Sequence, residues 1–108
     1  MMCQIKRLYQ NKFGEISQCA CSARIQLTFS NFVLELTESE LEVLQAYIPP
    51  LYEQEKQSGL QANERNIFLS SSVHHLMLAF SLEELAGLMD LIHQASIVLQ
   101  IKKILKEG

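Results

Sequence analysis

The chain has 108 residues, 48% of them apolar and 19% charged, with 9 basic against 12 acidic side chains and a net charge of −3. That length fits one domain over residues 1–108, with a core of its own and no room for a second domain of ordinary size. The acidic balance disfavours nucleic acid, since no basic field meets a phosphate backbone. No segment approaches the ~18 uninterrupted apolar residues of a membrane span, so we expect no membrane either.

Met1-Met2-Cys3-Gln4-Ile5-Lys6-Arg7 turns polar at once and offers no apolar run for a signal peptide. We therefore expect a cytoplasmic protein with its three cysteines mostly reduced. Apolar and polar residues roughly alternate from Cys3 to Tyr9, Asn11-Lys12-Phe13-Gly14 supplies turn residues, and a second strand runs from Glu15 to about Cys21. Ile25, Leu27 and Phe29 then alternate with Gln26 and Thr28, the pattern of a strand with one buried face.

Ser30-Asn31 makes a short turn, and Phe32, Leu34 and Leu36 share one face of the returning strand. Thr37-x-x-Glu40 is a capping box, flanked by Leu36 and Leu41 as a hydrophobic staple, and starts a helix that buries Leu41, Leu44 and Ile48. Pro49-Pro50 is expected to disrupt that helix, because neither residue can donate a backbone hydrogen bond. From Glu53 to Glu64 the chain is polar and reads as a connection.

The same plan then recurs. Asn66 to Ser71 reads as a strand, the Ser72 to His75 region as a turn, and Leu76, Leu78 and Phe80 as alternating strand positions. Ser81-x-x-Glu84 is a second capping box, with Phe80 and Leu85 as its staple. Leu34/Leu78, Glu40/Glu84, Leu41/Leu85, Leu44/Leu88 and Ile48/Ile92 are identities at one constant offset, which predicts an internal repeat spanning 24–48 and 68–92. After Leu82 the apolar series continues through Ala95 and Leu99 toward Leu105, predicting one long helix to about Lys106; the alternative makes Ser96 to Ile101 a strand, because Ile97 and Val98 are β-branched.

Chemistry is sparse. Cys19-Ala20-Cys21 would place two thiols on one face of a strand, and Cys3 could join them if the N-terminal strands pair. Cys3, Cys19 and Cys21, with His74, His75 or His93 as a fourth ligand, form the candidate zinc set. The competing reading is that cysteine fills the sheet face as a small apolar side chain. His74-His75 falls at a turn, where neighbours face opposite ways, and His93 has no partner at helical metal spacing. Glu38, Glu40, Glu42, Glu83 and Glu84 gather at helix starts, where acids favour the helix dipole, and Lys102, Lys103 and Lys106 gather at a helix end for the converse reason. No phosphate-binding glycine loop and no Gly-x-Ser-x-Gly occurs, so we assign no catalytic or cofactor-binding residue.

The stretch from Gly14 through Leu36, with its cysteine pair before Ile25-Gln26-Leu27-Thr28-Phe29-Ser30-Asn31-Phe32, resembles small uncharacterised bacterial proteins of a domain of unknown function. The likeness extends to Arg65-Asn66-Ile67 and Leu82-Glu83-Glu84-Leu85. In those proteins two residues separate the cysteines and a Gly precedes the Asn, whereas here Ala20 alone separates Cys19 from Cys21 and Ser30 precedes Asn31. The resemblance implies a bacterial source and no activity.

The expected architecture is α+β: an antiparallel sheet with helices on one face, built of two pseudo-symmetric strand-strand-helix units plus an N-terminal hairpin. The expected function is that of a non-enzymatic binding or assembly module without a cofactor. The high apolar content and the long last helix suggest a homodimer, or another protein as partner. The alternative is a small zinc-binding protein using Cys3, Cys19 and Cys21.

Overall fold

The computed structural model describes residues 4–59, 64–70 and 75–107. Its elements follow the order β1 (Ile5–Asn11), β2 (Gly14–Cys19), β3 (Ile25–Phe29), β4 (Phe32–Leu36), α1 (Glu38–Gln57), β5 (Ile67–Ser70), β6 (Met77–Phe80) and α2 (Leu82–Glu107). The first four strands form one antiparallel sheet in the order β1-β2-β3-β4, and β5 pairs with β6 in a separate two-stranded antiparallel sheet. The fold is α+β, as the alternation of hydrophobicity implies.

Local chemistry sets each turn of the first sheet. The Asn11 side-chain oxygen accepts from the N–H groups of Phe13 and Gly14, closing the β1–β2 turn. A Cβ on Gly14 would run into the Thr28 carbonyl across the ladder, so that position requires glycine. Ser30 adopts a positive φ of 52° at the β3–β4 turn, and its N–H donates to the Phe13 carbonyl, which ties the two turns together. The β1–β2 register slips between Arg7 and Tyr9, and Leu8 at the irregularity is buried.

Period-two patterning decides which face is covered. Ile25, Leu27 and Phe29 are buried while Gln26 is exposed, and β2 contributes Ile16 to the same core. In the second sheet Ile67, Leu69 and Phe80 turn inward, and Phe68 and Met77 outward. Phe29 joins the two sheets: its ring stacks on Phe13 and meets Phe80 edge-on, with centroids 5.7 and 5.8 Å apart. One hydrophobic cluster runs from these strands into α1 and α2.

Both helices begin with the predicted capping boxes. Thr37 Oγ1 accepts from the Glu40 N–H while the Glu40 carboxylate accepts from the Thr37 N–H, and Ser81 and Glu84 repeat both bonds. The end of α1 differs from expectation. Pro49 and Pro50 lie inside the helix, which continues to Gln57. They deny the Gln45 and Ala46 carbonyls their i+4 donors, but proline's fixed φ suits a helix, and continuation packs Leu51 and Tyr52 onto the core. The polar stretch after Glu53 is thus helical in its first part.

The last segment is one helix of 26 residues, and Ser96 to Ile101 adopts no strand. Leu85, Leu88, Leu91, Ile92, Ala95 and Leu99 form its buried stripe, so Ile97 and Val98 are carried by the helical period of their neighbours. Leu105, expected to continue that stripe, is exposed, because the helix has by then run past the core.

Two substitutions probe these constraints. Pro50→Ala restores a donor at an exposed position, and urea unfolding should show stabilisation of up to about 3 kcal/mol. Gly87→Ala improves helix propensity by about 1 kcal/mol, yet its new Cβ would overlap the Phe13 ring, itself stacked on Phe29. Overpacking should win, giving a net loss on the order of 1 kcal/mol in the same assay.

Candidate functional site

The cysteine region is partly determined by the strand ends. β2 ends at Cys19, and residues 20–22 form the turn into β3, so Cys21 is not on the strand face expected to pair it with Cys19. Cys21 is exposed. Cys19 is disulfide-bonded, a departure from the expectation of reduced thiols. A sulfur in a disulfide is not a thiolate, so Cys19 can join a zinc set only in reduced protein. Cys3 and His74 lie outside the described residues. Among the described residues no group of three or more His, Cys, Asp or Glu is placed to hold a metal ion.

The other histidines stand apart from the cysteines. His75 occupies the left-handed region at φ 63°, a turn conformation. His93, on α2, faces α1, with its Nδ1 3.1 Å from the Gln45 side-chain nitrogen. Gln45 Oε1 and Ser96 Oγ are buried at the helices without a hydrogen-bond partner among the described residues.

The polar contacts that do form are clasps between elements. Asn11 Nδ2 donates to the Gly87 carbonyl at 3.0 Å and to Asp90 at 3.1 Å, fixing the β1–β2 turn on α2. The Asp90 carboxylate beside the Tyr9 hydroxyl pushes the Tyr9 pKa up, chiefly by accepting its hydrogen bond. Arg65 donates twice to Glu84, at 2.9 and 2.8 Å, while Glu84 also caps α2. That guanidinium, followed by the Ser81 backbone contact, holds the Glu84 carboxyl below the usual range against the opposing effect of burial. Glu40 is likewise lowered, first by the Thr37 backbone bond. None of these pairs combines a nucleophile with a base.

Two shallow cavities lie on the surface of the described residues. One of ≈ 230 Å³ lies against Ser17, Cys19 and the Arg24–Glu35 pair, and one of ≈ 220 Å³ lies between the β3–β4 turn, β6 and the Arg65–Glu84 pair. Both fall below the roughly 300 Å³ at which small-molecule sites begin. Neither is lined by His75 or His93.

The more informative surface is apolar. Ile97, Ile101, Ile104 and Leu105 are 38, 50, 67 and 75% exposed, at i, i+4, i+7 and i+8 on α2. On α1, Val43 and Tyr47 are 66 and 55% exposed, and in the second sheet Phe68 and Met77 are exposed, with Leu76 just ahead of β6. In sequence Leu105 continues the apolar series of the core and Ile97 to Ile101 fit the alternative strand; the helical spacing from Ile97 to Ile101, Ile104 and Leu105 is the signal that marks the exposed stripe.

The family model for a family of unknown function, DUF6686, matches residues 1–106. The chain belongs to the DUF6686 family. No curated protein and no solved structure matches it. Membership agrees with the resemblance to an uncharacterised domain family and brings no activity with it. No helix of the described residues is long and apolar enough to cross a membrane.

Two experiments check these contacts. Because the Glu84 pKa is lowered on folding, its stabilisation is present above the ordinary carboxylate range and is lost as pH falls through the folded value. Glu84→Gln should remove that acid-sensitive part of the stability curve and lower stability by about 1–2 kcal/mol at neutral pH, by loss of the charged Arg65 pair, since the Gln amide oxygen still accepts from the Ser81 N–H. Alkylation of unreduced, denatured protein followed by peptide mass spectrometry should label Cys21 and leave Cys19 unlabelled until a reductant is added.

Proposed function

We propose that this chain is a non-enzymatic binding or assembly module of bacteria that works as a homodimer. The observation that carries this reading is the α2 stripe of Ile97, Ile101, Ile104 and Leu105, a helix face whose burial needs a partner. The cavities support it by their small size, with neither His75 nor His93 among the described residues that line them.

The two hairpin–helix units, 24–48 and 68–92, are best explained as an internal repeat. Ile25↔Leu36 and Leu27↔Leu34 in the first hairpin correspond to Ile67↔Phe80 and Leu69↔Leu78 in the second, so the offset is 44 in the returning strands but 42 in the leading ones, and the structural counterpart of Ile25 is Ile67, one residue ahead of the expected unit. The repeat accounts for scaffold rather than chemistry, since the shared positions are caps, staples and core.

Sedimentation velocity across a range of concentrations tests the proposal. A dimer mass that dissociates on dilution is expected, and a strictly monomeric species at every concentration would overturn it. Metal analysis of reduced protein purified without chelator addresses the zinc alternative: stoichiometric zinc would favour Cys3, Cys19 and Cys21 as ligands, and substoichiometric zinc would leave the module reading in place.

A further inference from the structure

A covalent cross-link lies at the open end of the β1–β2 ladder. Cys19 closes β2 and is disulfide-bonded, whereas Cys21, two residues further on and exposed, stands outside that bond. The register sets Ile5 opposite Cys19 and Arg7 opposite Ser17, and the ladder runs one step further, with the Ala20 N–H donating to the Gln4 carbonyl at 2.9 Å.

The side chains at this end face solvent. Ile5, Arg7, Glu15 and Cys19 share the sheet face opposite the one on which Ile16 is buried. Ile5 is exposed, and Arg7 pairs with Glu15 on that outer face. The ≈ 230 Å³ cavity lined by Ile5, Cys19 and Gln26 opens there too, since Gln26 sits opposite Ser17 in the next strand. A thiol in solution therefore has a route to Cys19. The buried core cluster contains no cysteine, and the other end of β1 is held separately by the Asn11 grip on α2.

We infer that Cys3 is the other half of this disulfide, and that the bond is a reversible redox clasp with Cys21 as its exchange thiol. The chain has three cysteines, and with Cys21 outside the bond Cys3 is the intrachain partner that remains. Two residues before Ile5, an extended chain returns to the face that carries Cys19. In the exchange the Cys21 thiolate attacks Cys3 Sγ; the Cys21–Cys3 bond forms, the Cys3–Cys19 bond breaks, and Cys19 Sγ leaves with the electron pair and takes up a proton. Nothing is oxidised or reduced in that isomerisation. Opening the clasp takes two electrons from a small-molecule thiol, which becomes its own disulfide, and closing it returns them to such a disulfide. The turn into β3 needs no sulfur to hold it, because the Cys19 N–H donates to the Arg24 carbonyl and the Ala23 N–H to the Cys19 carbonyl. Reduction thus loosens the start of β1 and leaves the core in place.

Peptide mapping without reductant, combined with hydrogen exchange, tests the clasp. The natural protein should yield a Cys3–Cys19 cross-linked peptide, and Cys19→Ser equilibrated with oxidised glutathione should yield a Cys3–Cys21 peptide in its place; Cys19→Ala is a second variant should the serine protein fail to fold. Reduced glutathione should open the bond and oxidised glutathione restore it, with unchanged far-UV circular dichroism. In the reduced protein the amides of Ile5 to Arg7 should exchange at least tenfold faster while those of the Asn11 turn keep their rates. Cys19 found linked to a second chain or to Cys21 overturns the assignment of Cys3. Cys3 and Cys21 both left as alkylatable thiols in the Cys19 variants overturns the exchange role of Cys21. Global unfolding on reduction makes the bond a structural staple and overturns the clasp.

Discussion

The burial of one face of α2 is the constraint on which the other elements depend. Leu85, Leu88, Leu91, Ile92, Ala95 and Leu99 form an uninterrupted apolar stripe, each larger side chain contributing roughly 1.5–3 kcal/mol when withdrawn from water. The β1–β2 hairpin packs on the first turns of this helix, and α1 lies along its later turns. Sheet and helices therefore share one core, and Phe29 extends it to the β5–β6 hairpin through Phe80.

The polar contacts serve the same frame. Asn11 shows the economy of the arrangement, since one side chain shapes its own turn through Oδ1 and grips α2 through Nδ2. Glu84 similarly caps α2 and holds Arg65 ahead of β5. Residues so committed are poor candidates for chemistry, because a general acid or base must be able to exchange its proton and its partners during a reaction. Functional meaning consequently shifts from the polar groups to the apolar faces that the fold leaves uncovered.

Much of the frame was legible because its signals are local. The capping boxes at Thr37 and Ser81 depend on residues three apart, and the strand faces on alternation within five residues. Pro49-Pro50 misled because the rule against interior proline weighs a lost hydrogen bond, whereas the gain from packing Leu51 and Tyr52 comes from contacts distant in sequence. The cysteines misled for a related reason: a strand ending at Cys19 rather than two residues later moves Cys21 into a turn, and strand ends are set by pairing with β1 and β3.

By itself the sequence determined the α+β class, the order of hairpins and helices, both helix starts and the inward faces of the strands, since each follows from capping chemistry or hydrophobic period. Only the tertiary structure decided that α1 runs through its prolines, that the Asn11 turn grips α2, and that Ile97, Ile101 and Ile104 stay outside the core. The physical reason is that exposure belongs to no residue alone. An isoleucine on a helix is core or surface according to where the neighbouring elements end, and α2 outlasts the elements that cover it.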